Sequence, residues 1–390
     1  MYGVRARASA GSTGGLWMRK SIGLWWLMLP IGLALVVVLP RVLPEQYLFD
    51  AQFIREHIAV MNGAGFTLGD SFGNTAYLYV LLGIGASPLA GAYFTYAAAW
   101  LAVLVALHLA GSGGRFWLVV PFFVWHTILV VFTGMHSKEV HAMPAMTLLL
   151  VLAGERLSPR RVVVMALVVV GYSLLFRKYW AIVGALSAAF IVLRHRRTLP
   201  VPGGVAMLVT FFALLVAYHL ATGEYLTDWR NILTEGRDLD LFSDTAFANA
   251  LPPTSLAADF ANAMLALARL LVPYTMLASG KLQHLAFAGW ELVNVVAFAI
   301  LLSRAWRRDD ASARLVFASS WIIAFTLTQS TFEPDYGTFL RHQTTLLPLL
   351  AFVAMETLWP SERARSAQRW APGYEAISSG AVSDRAPFRP

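Results

Sequence analysis

The stretch HSKEVH places His136, Lys138, Glu139 and His141 together at the mouth of an apolar run. Three other stretches share its character. YLFDAQFIREH carries Asp50, Arg55, Glu56 and His57, FRKYW carries Arg177, Lys178 and Tyr179, and TFEPDYGTFLRHQ carries Glu333, Asp335, Arg341 and His342. Ionisable side chains beside hydrocarbon are costly, so each of these groups needs a reason to be there. Cations gathered against an apolar surface suit an anionic ligand. In a membrane the commonest is a phosphate or pyrophosphate headgroup, which a planar guanidinium grips through two oxygens at once.

Plainer uses compete at each position. Arg177 and Lys178 sit in a tight connection from which both can snorkel to lipid phosphates. Lys138 and Glu139 can pair with each other, or Glu139 can favour the start of a helix through its dipole. Arg55 and Glu56 fit the wet face of an interfacial helix. Arg341 and His342 resist such readings, because they lie several residues inside the last apolar run. No metal centre or cofactor is expected. The histidines of HSKEVH are five apart and share no helical face, and the chain has no cysteine and no phosphate-binding glycine loop.

The elements that must hold these residues follow from composition. The chain is 58% hydrophobic and 13% charged, far from the balance of a soluble domain. Its apolar runs reach the length needed to cross hydrocarbon as helices. The fold expected is all-α: a polytopic transmembrane bundle of about ten spans, with re-entrant or interfacial helices and one larger polar loop. Residues 1–360 form one domain, with loops at about 41–75 and 223–258, followed by a tail at 361–390 expected to be disordered. TAYLYVLLGIGAS is too short to span, and the segment holding Arg269 and Pro273 is expected not to cross. The last span is expected to run unbroken through TFLRHQTTLLPLLAFVAMETLW.

Loop charge then sets the sides. With the N-terminus in the cytoplasm, GSGGR, GERLSPRR, RHRR, RAWRRDD and the SERARSAQR tail all fall inside, as the positive-inside tendency requires. The formal charge of +8 is therefore topological, and no nucleic acid partner is expected. Arg55, Lys138, Arg177, Lys178 and Arg341 fall on the opposite, outer face, where that tendency disfavours them.

YLFDAQFIREHI followed by GDSFGNTAYLYVLLG, SKE at a helix mouth, and EPDYGTFLRHQTTLLPLL entering the last helix resemble bacterial polysaccharide polymerases of the Wzy type and related GT-C glycosyltransferases. The resemblance covers most of the bundle through short, degenerate motifs. It implies a bacterial inner-membrane enzyme, which with the loop charges has both termini cytoplasmic, working with the bilayer and other polysaccharide assembly proteins. The implied reaction is an inverting transfer of a polyprenyl-pyrophosphate-linked glycan to the end of another lipid-linked repeat, on the periplasmic face. Arg341, Arg177 and Lys138 would stabilise the departing pyrophosphate. Asp50, Glu139, Glu333 or a neighbouring histidine would serve as base. Lys178, Tyr179, Arg55, His57, Asp335 and His342 would line the substrate, with Trp229 and Arg230 of the polar loop facing the sugars. Two alternatives remain. A GT-C transferase using a polyprenyl-phosphate sugar would ordinarily show paired acids in the first outer loop, where Asp50 has no adjacent acid. A lipid-linked glycan flippase would show inverted repeats and charges near the midplane.

Overall fold

The computed structural model describes residues 13–43, 48–61, 65–111, 119–195, 203–235 and 245–358. Among them the regular elements are sixteen α-helices, with no strand beyond one bridge between Ala246 and Asp335. The tail at 361–390 and positions 236–244 of the polar loop lie outside the described residues.

A long helix α1 (Thr13–Val42) is followed by two short ones, α2 (Phe49–Val60) and α3 (Ser71–Leu81). Six more follow: α4 (Pro88–Leu109), α5 (Val119–Thr133), α6 (Glu139–Ala153), α7 (Pro159–Leu175), α8 (Trp180–His195) and α9 (Gly203–Thr222). The polar segment then contains α10 (Asp228–Glu235). The rest is α11 (Leu256–Leu271), α12 (Tyr274–Ser279), α13 (Leu282–Arg307), α14 (Ala313–Phe332), α15 (Tyr336–Thr345) and α16 (Leu347–Leu358).

Side chains set many of these starts by satisfying the first free amides of a helix. Ser87, Ser158, Ser255 and Ser312 accept from Ala90, Arg161, Ala258 and Leu315 respectively. Asp70 does the same for α3 and Asp335 for α15. Pro88 and Pro159 occupy the first turns of α4 and α7, where a missing amide hydrogen costs nothing. α6 stops at Gly154, whose φ of +59° suits glycine.

Among the described residues, length and apolarity qualify four helices as able to cross a membrane: α4, α9, α13 and α14. Their burial differs. α14 is largely enclosed, packed by α8, α11 and α16, whereas α9 and α13 turn Val209, Leu220, Val293 and Val296 outward. An exposed surface of this kind is suited to hydrocarbon rather than water. Parts of α1 and α5, with α6, α8 and α16, are apolar but shorter. Since α14 rises about 30 Å, its Ser312 and Glu333 ends mark the two ends of the bundle.

Two expectations change. The segment at 223–258 is not wholly loop, because α10 lies within it. The last span is not continuous but breaks at Leu346 between α15 and α16. Pro348 explains the break: it has no amide hydrogen to donate to Thr344, and its ring would meet that carbonyl in an unbroken helix. Arg341 therefore belongs to a short helix of its own. As for the Arg269 segment, Asp259 accepts from the Thr227 amide near the start of α11, while Leu270 packs with Phe247 and Tyr336 at its end. Both ends of α11 are thus tied to residues at the Glu333 end of the bundle, and Pro273 separates it from α12.

Candidate functional site

α2 follows directly on α1 and carries Asp50 in its first turn. Its carboxylate meets two cations from distant parts of the chain. Arg341 Nη1 of α15 donates to Asp50 Oδ2, and Lys138 Nζ lies 3.4 Å from the same oxygen. Lys138 immediately precedes α6 and stands 3.6 Å above the Phe72 ring of α3, a cation–π contact.

Beneath this layer lies a sealed one. Glu139, the first residue of α6, is fully buried. Arg177 Nη2 donates to Glu139 Oε1 at 2.6 Å, and the Thr345 hydroxyl donates to its other oxygen. Arg177 Nη1 donates to the Tyr179 hydroxyl at 3.1 Å. Arg341 joins the layers, its Nε 3.7 Å from Glu139 Oε1. That is an ion-pair distance but too long for a hydrogen bond, and Arg341 Nε has no other hydrogen-bond partner.

The layers differ in access. Asp50, Lys138 and Arg341 keep 17–20% of their side-chain surface, while Arg177 and Glu139 keep 5% and none. Burial alone would raise the Asp50 pKa, but Arg341 and Lys138 outweigh it and hold the carboxyl well below the usual range. Burial pushes the Lys138 ammonium down to about 8, against the opposing pull of Asp50.

A second pair adjoins the network. His342 Nδ1 bonds Glu333 Oε1 in a ring of Tyr179, Phe325 and Phe332. Burial lifts the Tyr179 hydroxyl to about 12.

The structure thus brings together Asp50, Lys138, Glu139, Arg177, Tyr179, Arg341, His342 and Glu333. It corrects two expected pairings. Lys138 binds Asp50 rather than Glu139, and Arg177 is buried against Glu139 instead of snorkelling to lipid. The remaining residues stand apart. Arg55 is exposed, donating to the Ala51 carbonyl of its own helix, and His57 Nδ1 bonds the Phe53 carbonyl. Lys178 is exposed beside Gly69. Asp335 caps α15. Trp229 donates to the Tyr218 hydroxyl at 2.9 Å. Arg230 is buried and donates to the Ser330 and Glu333 carbonyls and to Asn249. It closes the end of α14, a structural use of a guanidinium.

The histidines of HSKEVH are also packed rather than gathered. His141 bridges Thr75 and Tyr172 against the Phe176 ring, and His136 lies edge-on to Tyr79. No cluster of three or more metal-ligating side chains occurs among the described residues.

Sequence reasoning passed over Thr345, Phe72 and the pair formed by Gln343 Nε2 and Glu291 Oε1 at 2.9 Å. Glu291 had a signal, since an acid within an apolar run of spanning length needs a purpose. Thr345 and Phe72 had none, being ordinary residues until the fold places them. Compared with protein-family models, curated proteins and solved structures, the chain matches none.

Proposed function

We propose that this chain is a membrane glycosyltransferase whose donor is a glycan carried on polyprenyl pyrophosphate, and that its reaction is the polymerisation of lipid-linked repeat units. The observation that carries the reading is the two-layered network. Four separate parts of the chain converge to place two partly open cations and one partly open carboxylate above a sealed Arg177–Glu139 pair. In this reading the network end of the bundle is periplasmic, and the chain crosses a bacterial inner membrane ten times with α2, α3 and α11 at the surface.

The chemistry divides by layer. Lys138 and Arg341 hold the lipid phosphate and stabilise the negative charge that grows on it as the sugar departs. Asp50 takes the acceptor hydroxyl proton as the new glycosidic bond forms. Arg177 and Glu139 reach no open surface and act as positioning residues, fixing Arg341 and the start of α6 from below. Glu333 and His342 form the neighbouring wall.

One observation favours the second reading, transfer of a single sugar from a polyprenyl-phosphate carrier. Arg341 reaches both Asp50 and Glu139, so a pair of acids absent from the linear sequence exists in space. The two readings separate in cells carrying Arg341→Ala. Loss of polymerisation leaves complete single repeats on the lipid, whereas loss of a monosaccharide transfer leaves repeats lacking one sugar. Normal polymer of full composition from normally inserted Arg341→Ala protein would defeat both.

A further inference from the structure

Four polar residues of α15 are each engaged by a different acid: Arg341 by Asp50, His342 by Glu333, Gln343 by Glu291 and Thr345 by Glu139. Glu333, Glu291 and Glu139 are fully buried and belong to the body of the bundle. Asp50 differs. It lies on α2, which packs on α3 and turns Phe49 and Val60 outward. The element carrying Arg341 is therefore pinned from three sides, while the element carrying Asp50 is peripheral.

Asp50 also occupies the place a ligand would need. Its carboxylate fills the gap between Lys138 and Arg341, the two network cations with open surface. Arg177 is sealed against Glu139 and cannot serve an incoming anion. Arg341 Nε, buried 3.7 Å from Glu139 Oε1, has no hydrogen-bond partner of its own. Anything that binds both cations must displace Asp50.

We infer that Asp50 is a resident stand-in for the donor's phosphate: the phosphate takes its place on Lys138 and Arg341, and the released carboxylate becomes the base. This rests on the glycosyltransferase reading for the identity of the acceptor, but not for the exchange itself. The exchange solves two problems together. It leaves no unpaired cation beside hydrocarbon when the seat is empty. It also keeps the base weak until the donor is seated, because a carboxylate shared by two cations binds protons poorly. Atoms balance: the acceptor oxygen bonds the anomeric carbon, its proton goes to Asp50, and the phosphate leaves with the electron pair of the broken carbon–oxygen bond.

An internal competitor lowers apparent affinity by the share of molecules in which it holds the site. Purified Asp50→Asn protein should therefore bind a short-chain polyprenyl phosphate up to about fivefold more tightly than the unsubstituted protein, the scale of one partly exposed ion pair. Adding Lys138→Ala should cancel that gain. Inorganic phosphate serves as the second probe, and its ranking against the lipid identifies the source of the anion. Unchanged or weaker binding of both probes by inserted Asp50→Asn protein overturns the exchange. The cysteine-free chain permits a check that needs no change at Asp50. A spin label at Val60→Cys on α2, paired with one at Val209→Cys on α9, should shift in distance when probe saturates the site, and an unmoved distance overturns the exchange. Tighter binding without any sugar transfer would keep the exchange and remove the glycosyltransferase reading. Lost transfer without tighter binding would do the reverse.

Discussion

The two ends of the bundle both collect arginines, and they use them differently. At the Ser312 end, Arg194 donates to the carbonyls of Ala305, Trp306 and Arg308, closing the last turn of α13. Arg308 donates to the Glu356 carbonyl, and Arg314 meets Glu155 at 2.7 Å in the open. These partners are backbone oxygens or exposed acids from nearby turns. At the Glu333 end, Arg177 and Arg341 meet carboxylates contributed by α2 and α6. Backbone carbonyls are fixed and end a helix. A carboxylate can be exchanged for another anion. Arg230 caps α14 through carbonyls at the Glu333 end as well, so the partner and not the end decides the use: carbonyls make a guanidinium a structural cap, and carboxylates make it half of an exchangeable ion pair.

The largest expected effect tests the sealed layer. Removing one member of a buried pair leaves an uncompensated charge and typically costs about 3–5 kcal/mol. Glu139→Ala or Arg177→Ala should therefore sharply lower the amount of inserted protein and its thermal midpoint in detergent. The double change Glu139→Leu with Arg177→Met should recover much of the abundance and none of the activity. Equal losses of abundance in the single and double variants would show that the pair is not the source of the effect.

Next is Arg341. Its loss should reduce transfer by about 10²–10³, the scale for one electrostatic contact to a developing negative charge, at near-normal abundance. Arg341→Lys should restore part of it, since an ammonium keeps the charge but not the forked geometry. A matching fall in abundance and activity would assign Arg341 to the structural class of Arg194.

How much of this was legible beforehand depends on the residue. The helical class and the apolar spans follow from composition and run length, which report solvent preference residue by residue. The grouping of Lys138, Arg177 and Arg341 at one end was also readable, because charge beside hydrocarbon is conspicuous. Pairing was not. Asp50 and Arg341 are separated by most of the chain, and no local pattern says which acid meets which base. The α15–α16 break was available in Pro348 but masked by the apolarity of the run around it. Arg230 looked like a sugar ligand because it follows Trp229 in a polar loop, yet burial against the Ser330 and Glu333 carbonyls gives it the opposite role.

A pH profile sharpens the contrast, because lysine can lose its charge near neutrality where arginine cannot. Lys138 faces Asp50, Arg341 and Arg177, and its ammonium loses its proton near pH 8. Apparent second-order transfer, kcat/KM, should therefore fall by about tenfold per unit above that pH, and Lys138→Arg should flatten the decline. Stability moves the other way. The unfolded lysine titrates at 10.5, so between about 8 and 10.5 the unfolded chain binds more protons and the contribution of this group to stability rises with pH. Parallel declines in activity and thermal midpoint would remove Lys138 as the cause.

Smaller effects are expected at the Ser312 end. Arg194→Ala leaves three carbonyls without a charged donor, and a hydrogen bond to a charged group contributes about 1.5–3 kcal/mol. Its thermal midpoint should fall by several degrees while transfer per inserted molecule stays unchanged. Reduced transfer per molecule would join this end to the chemistry.

The smallest effect belongs to Arg314 and Glu155. The geometry at 2.7 Å is as good as that of the Arg177–Glu139 pair at 2.6 Å, so distance alone would rank them equally. Exposure separates them: the Glu155 side chain keeps 70% of its surface and that of Glu139 keeps none. Water and salt screen the first pair, and exposed pairs of this kind contribute roughly 0.2–1 kcal/mol. Arg314→Ala should leave abundance and transfer within error of the unsubstituted protein, and a double-mutant cycle with Glu155→Ala should give a coupling that shrinks further with added salt. A coupling as large and as salt-independent as that between Arg177 and Glu139 would mean that exposure does not set the difference between the two ends. The contrast between capping and reactive arginines would then have to rest on partner chemistry alone.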